Sequence, residues 1–151
     1  MNSSLVYLVQ TDTTVGFSSS SDERLSDVKQ RPRSKKILNT VDSFKTLNKY
    51  TRVPKKYRKL VRKSTKTTFI YPNLNSFRVI EKEASFYDFI KKFKILYSTS
   101  ANLTGNKFDE KFALINSDII VNENNGFSEK VSSSIYKLSK SKSLRIRWYK
   151  V

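Results

Sequence analysis

The chain has 151 residues, carries 30 Lys and Arg against 13 Asp and Glu for a formal charge of +17, and contains neither cysteine nor histidine. Those absences exclude Ser-His-Asp triads, histidine general bases and every Cys or His metal site. Three glycines, Gly16, Gly105 and Gly126, cannot build a Walker A loop or a G-x-G-x-x-G fingerprint. Chemistry is left to hydroxyls, amides, carboxylates, Lys and Arg. The length suits a single domain over residues 1–151 with a sizeable core. Apolar residues make up 37%, and no apolar run is long enough to predict a membrane-spanning helix. Met1 to Ser4 lacks the basic and apolar regions of a signal peptide. The absence of cysteine fits a cytoplasmic location.

Leu5 to Val9 is apolar throughout and β-rich, the pattern of a strand buried on both faces. It opens into Gln10-Thr11-Asp12-Thr13-Thr14-Val15-Gly16, and Phe17 to Ser21 reads as a serine-rich loop. Asp22 to Lys29 reads as a helix with Ser21 as N-cap and Leu25 and Val28 inward. Pro32 disfavours helical geometry at Arg31, which leaves Lys29 and Arg31 at a loop mouth. Lys35 to Val41 reads as a strand, and Asp42 to Tyr50 as a helix with Phe44 and Leu47 on one face. Pro54 to Lys63 reads as a very basic helix with Tyr57, Leu60 and Val61 inward.

Thr67 to Tyr71 and Ser76 to Val79 are β-rich and pair as a hairpin across Pro72-Asn73-Leu74-Asn75. Ser85 to Lys94 has the clearest helical period, with Phe86, Phe89, Ile90 and Phe93 on one face and a capping-box pattern in Ser85 and Asp88. Phe93 to Tyr97 then reads as a buried strand running into Ser98-Thr99-Ser100-Ala101-Asn102-Leu103-Thr104-Gly105. Chain leaving a buried strand must satisfy its backbone groups at once, and Ser, Thr and Asn do so through turn and cap bonds. They can equally point at a ligand across the end of a sheet. Lys107 to Asn116 reads as a helix with Phe108, Phe112 and Ile115 inward, Ile119 to Val121 as a short strand, and Asn122 to Gly126 as a turn. Ser134 to Leu138 and Leu144 to Trp148 close the chain, the last alternating as a half-buried strand. Strands alternating with helices predict a twisted mixed α/β sheet with flanking helices.

The charge is unevenly placed. From Lys29 to Lys66 there are fifteen Lys or Arg and one acid, Asp42, and from Lys137 to the end six more and no acid. Such a field attracts polyanions, RNA and nucleotide phosphates among them. A generic basic surface accounts for it equally well.

Three stretches stand in one order: Thr11-Asp12-Thr13 after a strand, Lys29-Gln30-Arg31-Pro32 after a helix, and Ser98 to Gly105 after another strand. This order resembles the YrdC-like family, the threonylcarbamoyl-AMP synthases. That family typically shows Pro-Thr-Asp/Glu-Thr before a Tyr-Gly, then Lys-x-Arg-Pro, then Ser-x-Asn. Thr67 to Pro72, the strand Phe77-Arg78-Val79, and Ser133-Ser134-Ile135 look like further family segments. The departures are Gln10 for the motif proline, Thr14-Val15 for Val-Tyr, Ser64-Thr65-Lys66 for Pro-Gly-Pro, and a short loop after Gly16. The helix that usually precedes the first strand and the extra C-terminal domain of longer members have no counterpart here.

The resemblance implies a nucleotidyltransferase. L-threonine, bicarbonate and ATP, with Mg²⁺, would give threonylcarbamoyl-AMP and pyrophosphate. A tRNA threonylcarbamoyl transferase complex would then use the product to modify tRNA. It implies Lys29 and Arg31 as the catalytic cations. Thr11, Thr13, Arg78, Ser98 and Ser133 would bind threonine; Lys29, Arg31, Lys35, Thr68, Ser100, Asn102 and Arg147 would bind ATP; no residue is assigned to a metal. Each has an ordinary reading too: helix-end charges, a strand's exposed face, turn hydroxyls. Two other functions fit the residues. One is a non-catalytic RNA-binding module on the same fold, using the basic segment Lys49 to Lys66. The other is a transferase for another carbamoyl acceptor.

Overall fold

The computed structural model describes residues 1–147. In chain order the elements are β1 (Tyr7–Gln10), β2 (Val15–Ser19), α1 (Asp22–Lys29), β3 (Leu38–Val41), α2 (Phe44–Tyr50), a 3-10 turn (Lys55–Tyr57) and α3 (Arg58–Lys63). They continue with β4 (Thr67–Ile70), β5 (Ser76–Val79), α4 (Ser85–Phe93), β6 (Ile95–Ser100), α5 (Glu110–Asn116), β7 (Ile119–Ile120), β8 (Ser134–Leu138) and β9 (Ser143–Arg147). The strands form one mixed sheet in the order β7-β1-β2-β6-β3-β5-β4-β8-β9. The pairings β1–β7, β3–β5 and β4–β8 are parallel and the rest antiparallel.

The registers divide the side chains between two faces. On β6, Leu96, Ser98 and Ser100 point one way and Ile95, Tyr97 and Thr99 the other. The second face is covered by two helical groups. Near β1 and β2, Leu8, Val15, Phe17, Leu25 and Ala113 form the core beneath α1 and α5. Near β3 to β5, Val41, Leu47, Tyr57, Val61, Phe69 and Phe77 form it beneath α2, the 3-10 turn and α3. The first face is covered at one end by α4, whose Phe86, Phe89 and Ile90 meet Tyr7, Val9 and Leu96. The remainder of that face is the floor of a cleft.

The mixed sheet, the buried β1, the β4–β5 hairpin and the apolar face of α4 agree with the sequence. Several details do not. Phe17 to Ser21 is no loop, because Val15–Ser19 is a strand buried at every position. Val15 and Phe17 alternate into the core, and the Ser19 hydroxyl is satisfied by donating to the Ser4 carbonyl at 3.1 Å. The strand expected from Lys35 begins at Leu38, since Lys35 closes a turn by donating its N–H to the Pro32 carbonyl at 3.0 Å. Leu60 is 42% exposed rather than inward. The 3-10 turn, at three residues per turn, resets the helical phase ahead of α3, so Val61 takes the buried position.

No capping box forms at α4: Ala84 is the N-cap and makes no side-chain bond, while Asp88 pairs with Lys91 at 2.7 Å. On α5 the Asp109 carboxylate caps Lys111 and Phe112 and starts the helix later than Lys107. Phe112 and Ala113 then face inward, and Ile115, about 200° round the helix from Ala113, is 77% exposed. Leu144 and Ile146 on β9 are 64% and 52% exposed, so the expected half-buried strand is an exposed edge. Trp148, the end of that expected strand, lies outside the described residues.

Candidate functional site

A cleft of about 560 Å³ opens on the first face of the sheet, over β2, β3, β4, β5 and β6. It falls in the range typical of small-molecule sites. Among the described residues five cations line it, Arg31, Lys35, Lys36, Arg78 and Arg147, and no carboxylate. Hydroxyls from Thr11, Thr13, Thr68, Ser98, Ser100 and Ser133 complete the wall. Gly16 belongs to the floor: a Cβ there would lie 2.8 Å from the Thr99 carbonyl oxygen, so a side chain would force β2 from β6 and fill the cavity.

Each wall residue has a local cause. β1 ends in a tight turn held by Thr11, whose Oγ1 accepts from the N–H groups of Thr13 and Thr14, both at 3.2 Å, and donates to the Thr14 carbonyl at 2.5 Å. The Thr11 hydroxyl is therefore mostly spent on the turn, and Thr13 is the freer of the two. Gln10, at the motif's proline position, accepts the Ser128 N–H on Oε1 at 2.9 Å, which ties the returning segment beside the cleft. That segment brings Ser133, whose hydroxyl is 2.9 Å from that of Thr68. Arg147 donates from Nε to the Ser133 carbonyl at 2.9 Å and from a terminal nitrogen to its hydroxyl at 3.3 Å.

Arg78 was open to reading as an exposed strand residue. Instead it is buried and paired at 2.8 Å with Asp12, whose side chain is equally buried. One terminal nitrogen carries that bond, while Nε has no partner among the described residues. The Nε of Arg31 is likewise buried without a partner, although a terminal nitrogen donates to the Lys36 carbonyl at 3.2 Å. Buried donors left open in this way cost about 1–3 kcal/mol each and are satisfied by a ligand offering oxygens. Burial lowers the pKa of Arg31. Burial, and secondly the charge of Arg78, lowers that of Arg147. Both effects favour an anion between them.

Lys29 is not at the loop mouth. α1 ends with Gln30 in the left-handed region at φ 51°, and the preceding Lys29 turns beneath the wall with 4% exposure. Its Nζ donates to the Ser100 carbonyl at 2.9 Å, the Ser100 hydroxyl at 3.3 Å and the Asn102 Oδ1 at 2.9 Å, and it also bonds the Asn102 carbonyl. These acceptors are neutral and offset only part of the lost hydration. Burial, and then the charge of Arg31, pushes the ammonium pKa down to about 8. Asn102, whose Oδ1 also accepts from the Ser100 hydroxyl at 2.5 Å, does not line the cleft.

The structure thus brings Thr11, Thr13, Arg31, Lys35, Thr68, Arg78, Ser98, Ser100, Ser133 and Arg147 to one cavity and sets Lys29 and Asn102 behind its wall. Sequence reasoning missed Asp12 as the partner of Arg78, and Lys36 and Ser132 as lining residues. A carboxylate inside a run of uncharged residues, Thr11-Asp12-Thr13, was the available signal, since a buried acid needs a cation.

The family model for Sua5/YciO/YrdC, described as telomere recombination, matches residues 5–147. The chain belongs to the Sua5/YciO/YrdC family. Among solved structures it is similar to P. abyssi Sua5 complexed with L-threonine, with a TM-score of 0.75 and 15% identity over 95% of this chain and 50% of that one. It is also similar to E. coli YciO, with a TM-score of 0.74 and 16% identity over 95% and 82% of the two chains. Full-length HypF in a phosphate- and nucleotide-bound form gives 0.71 and 15% identity over 95% and 27%. The chain spans about half the length of the Sua5 chains it matches. No curated protein matches it. At these identities the likeness to solved structures is one of fold. Among the described residues no helix is long and apolar enough to cross a membrane.

Proposed function

We propose that the chain is a threonylcarbamoyl-AMP synthase acting ahead of tRNA modification in the cytoplasm. The observation that carries this reading is the cleft itself: among the described residues, five cations, no lining carboxylate, and a ring of hydroxyls around a buried, half-satisfied Arg78. An amino acid and a nucleotide triphosphate are the two kinds of ligand such a wall suits. Two structural neighbours carry the same chemistry, L-threonine in the Sua5 complex and phosphate with nucleotide in HypF.

In this reading Arg78, oriented by Asp12, receives the threonine carboxylate, and Thr13, Ser98 and Ser133 orient the amino acid, with Thr11 shaping the turn. The amine adds to bicarbonate with loss of water to give a carbamate. A carbamate oxygen then attacks the α-phosphorus of ATP; the new P–O bond forms as the bond to the β-phosphate breaks, and pyrophosphate leaves. Neither step needs histidine or cysteine. The protein's part is to align three small reactants and offset triphosphate charge. Arg31, Lys35 and Arg147 supply that charge, with Thr68 and Ser100 as donors, while Lys29 braces Ser100 from behind and adds to the field. Among the described residues no three carboxylates or similar ligands gather into a metal cage. The Mg²⁺ the family implies would in this reading be carried mainly by the triphosphate oxygens and water. The adenylate would pass to a tRNA threonylcarbamoyl transferase complex.

The test is pyrophosphate release with substrates withheld one at a time. Release that needs both threonine and bicarbonate supports the reading. Release without threonine would reassign the cleft to another carbamoyl acceptor, and no release under any combination would sink the enzyme.

A further inference from the structure

The fold gives the basic segment a place the cleft does not use. Phe69 and Phe77 point to the second face of the sheet, where α2, the 3-10 turn and α3 cover them. Thr68 and Arg78, one residue away on the same strands, point to the cleft. The cations on those helical elements therefore lie across the sheet from the cleft and cannot serve its ligands directly. From Ser43 to Ile80, and again from Lys130 to the end, there is no acidic residue. Arg52, Lys55, Lys59 and Lys63 are exposed, and their side chains make no hydrogen bond or ion pair with the described residues. Nothing within the described fold accounts for this charge.

Beside it lies a second cavity, of about 620 Å³, lined by Tyr50, Arg52, Pro54, Lys55, Asn73 and Lys140 among others. Tyr50 ends α2 and is 51% exposed, an aromatic ring at the edge of a concave, acid-free surface. The surface is held in shape. Tyr57 is buried beneath the 3-10 turn. The Lys56 ammonium donates to the Ser141 carbonyl at 3.1 Å, which joins that turn to the β8–β9 turn carrying Lys140. Asn73 donates to the Thr51 hydroxyl at 3.2 Å.

We infer that this second face is a docking surface for the unpaired loop of a structured RNA, with one base against Tyr50 and the flanking phosphates on Arg52, Lys55, Lys140 and α3. Aromatic platforms ringed by cations are how proteins hold unstacked bases, and RNA presents such bases in its loops. A membrane fits poorly: the aromatic ring lies in a hollow, and Leu60 is the one large apolar side chain of α3 exposed there. Binding here leaves the cleft open, so RNA and a nucleotide occupy the protein together. The inference goes beyond the synthase reading and stands or falls independently of it.

The experiment is fluorescence anisotropy of the full chain with a labelled RNA hairpin carrying an unpaired loop, with duplex DNA of equal length, and with phosphatidylserine vesicles. The hairpin should bind best, with affinity falling roughly tenfold or more between 50 and 200 mM salt. Tyr50→Ala should weaken the hairpin roughly tenfold and leave duplex DNA unchanged. Lys55→Glu with Lys59→Glu should weaken both, and neither variant should alter nucleotide binding in the cleft. Saturating ATP should not displace the hairpin. Displacement by ATP, or hairpin binding lost in Arg31→Ala but kept in Tyr50→Ala, would return the RNA to the cleft. Equal binding to hairpin and duplex, preference for vesicles, or no binding at all would each overturn the inference.

Discussion

The two faces of the sheet carry the same residue types under opposite conditions. In and behind the cleft, Arg78 and Lys29 are buried and bound to named partners: Asp12 for the first, Ser100 and Asn102 for the second. On the helical face, Lys55 and Lys59 are exposed and unbonded. A buried cation loses hydration and is retained only where partners hold it, so each is tied to one geometry and its removal leaves an uncompensated group. An exposed cation contributes by number, is screened by salt, and is individually replaceable. The first arrangement suits recognition of a small anion at a fixed position. The second suits a polyanion that binds through many equivalent contacts.

The largest expected effect is therefore at Asp12. Asp12→Ala leaves the Arg78 guanidinium buried and unpaired, and removing one partner of such a pair costs about 3–5 kcal/mol. Urea denaturation should show that loss, whereas Lys55→Ala on the helical face should stay within about 0.5 kcal/mol of wild type. Equal losses at the two positions would erase the distinction between the faces.

Arg31 comes next, and its effect is on binding. Its guanidinium is half-buried, with an open Nε and a single bond to the Lys36 carbonyl. Arg31→Ala should leave the melting temperature near wild type and weaken ATP by about 1.5–3 kcal/mol, the scale of a charge-assisted hydrogen bond. Calorimetric titration checks it, and unchanged ATP affinity would remove Arg31 from the site.

The order of motifs, the alternation of strands and helices, and most of the cleft's residues were legible in the chain, because small hydroxyl residues directly after buried strands have few other places to go. What was not legible came from long-range pairing. The burial of Lys29 depends on Asn102, 73 residues away in sequence, and the Asp12–Arg78 pair spans 66. β2 was hidden because its serines imitate a loop, although Val15 and Phe17 already showed the two-residue period. The outward turn of Leu60 follows from a 3-10 segment, and that of Ile115 from a late helix start set by the Asp109 cap, neither of which composition reveals.

Asn102 gives a smaller effect of a different kind. It braces Lys29 and Ser100, and its amide also donates to the Asn106 carbonyl. Asn102→Ala should lower stability by about 1 kcal/mol, the value of a typical internal hydrogen bond, with threonine dependence unchanged. If melting temperature holds while the KM for ATP rises, Asn102 reaches the nucleotide directly and belongs in the cleft wall.

The effect that is smallest near neutral pH is the titration of Lys29. Its folded pKa, near 8, lies below the lysine value of 10.5 because of burial and then Arg31. Between those values the unfolded chain holds the proton and the folded chain releases it, so this group makes stability rise as pH goes from about 8 to 10.5. Below about pH 8 both states are protonated and its slope vanishes. One proton moves stability by at most about 1.4 kcal/mol per pH unit, and by a fraction of that where the rise begins. The contribution is isolated by comparing wild type with Lys29→Met, whose side chain does not titrate: the wild-type slope should exceed the variant's only above about pH 8. An anion in the cleft opposes the shift, so its binding should take up a proton and weaken as pH rises through 8. Calorimetry in two buffers of different ionisation enthalpy measures that uptake. Matching slopes for the two proteins would mean that the four oxygens around Nζ hold its charge as well as water does.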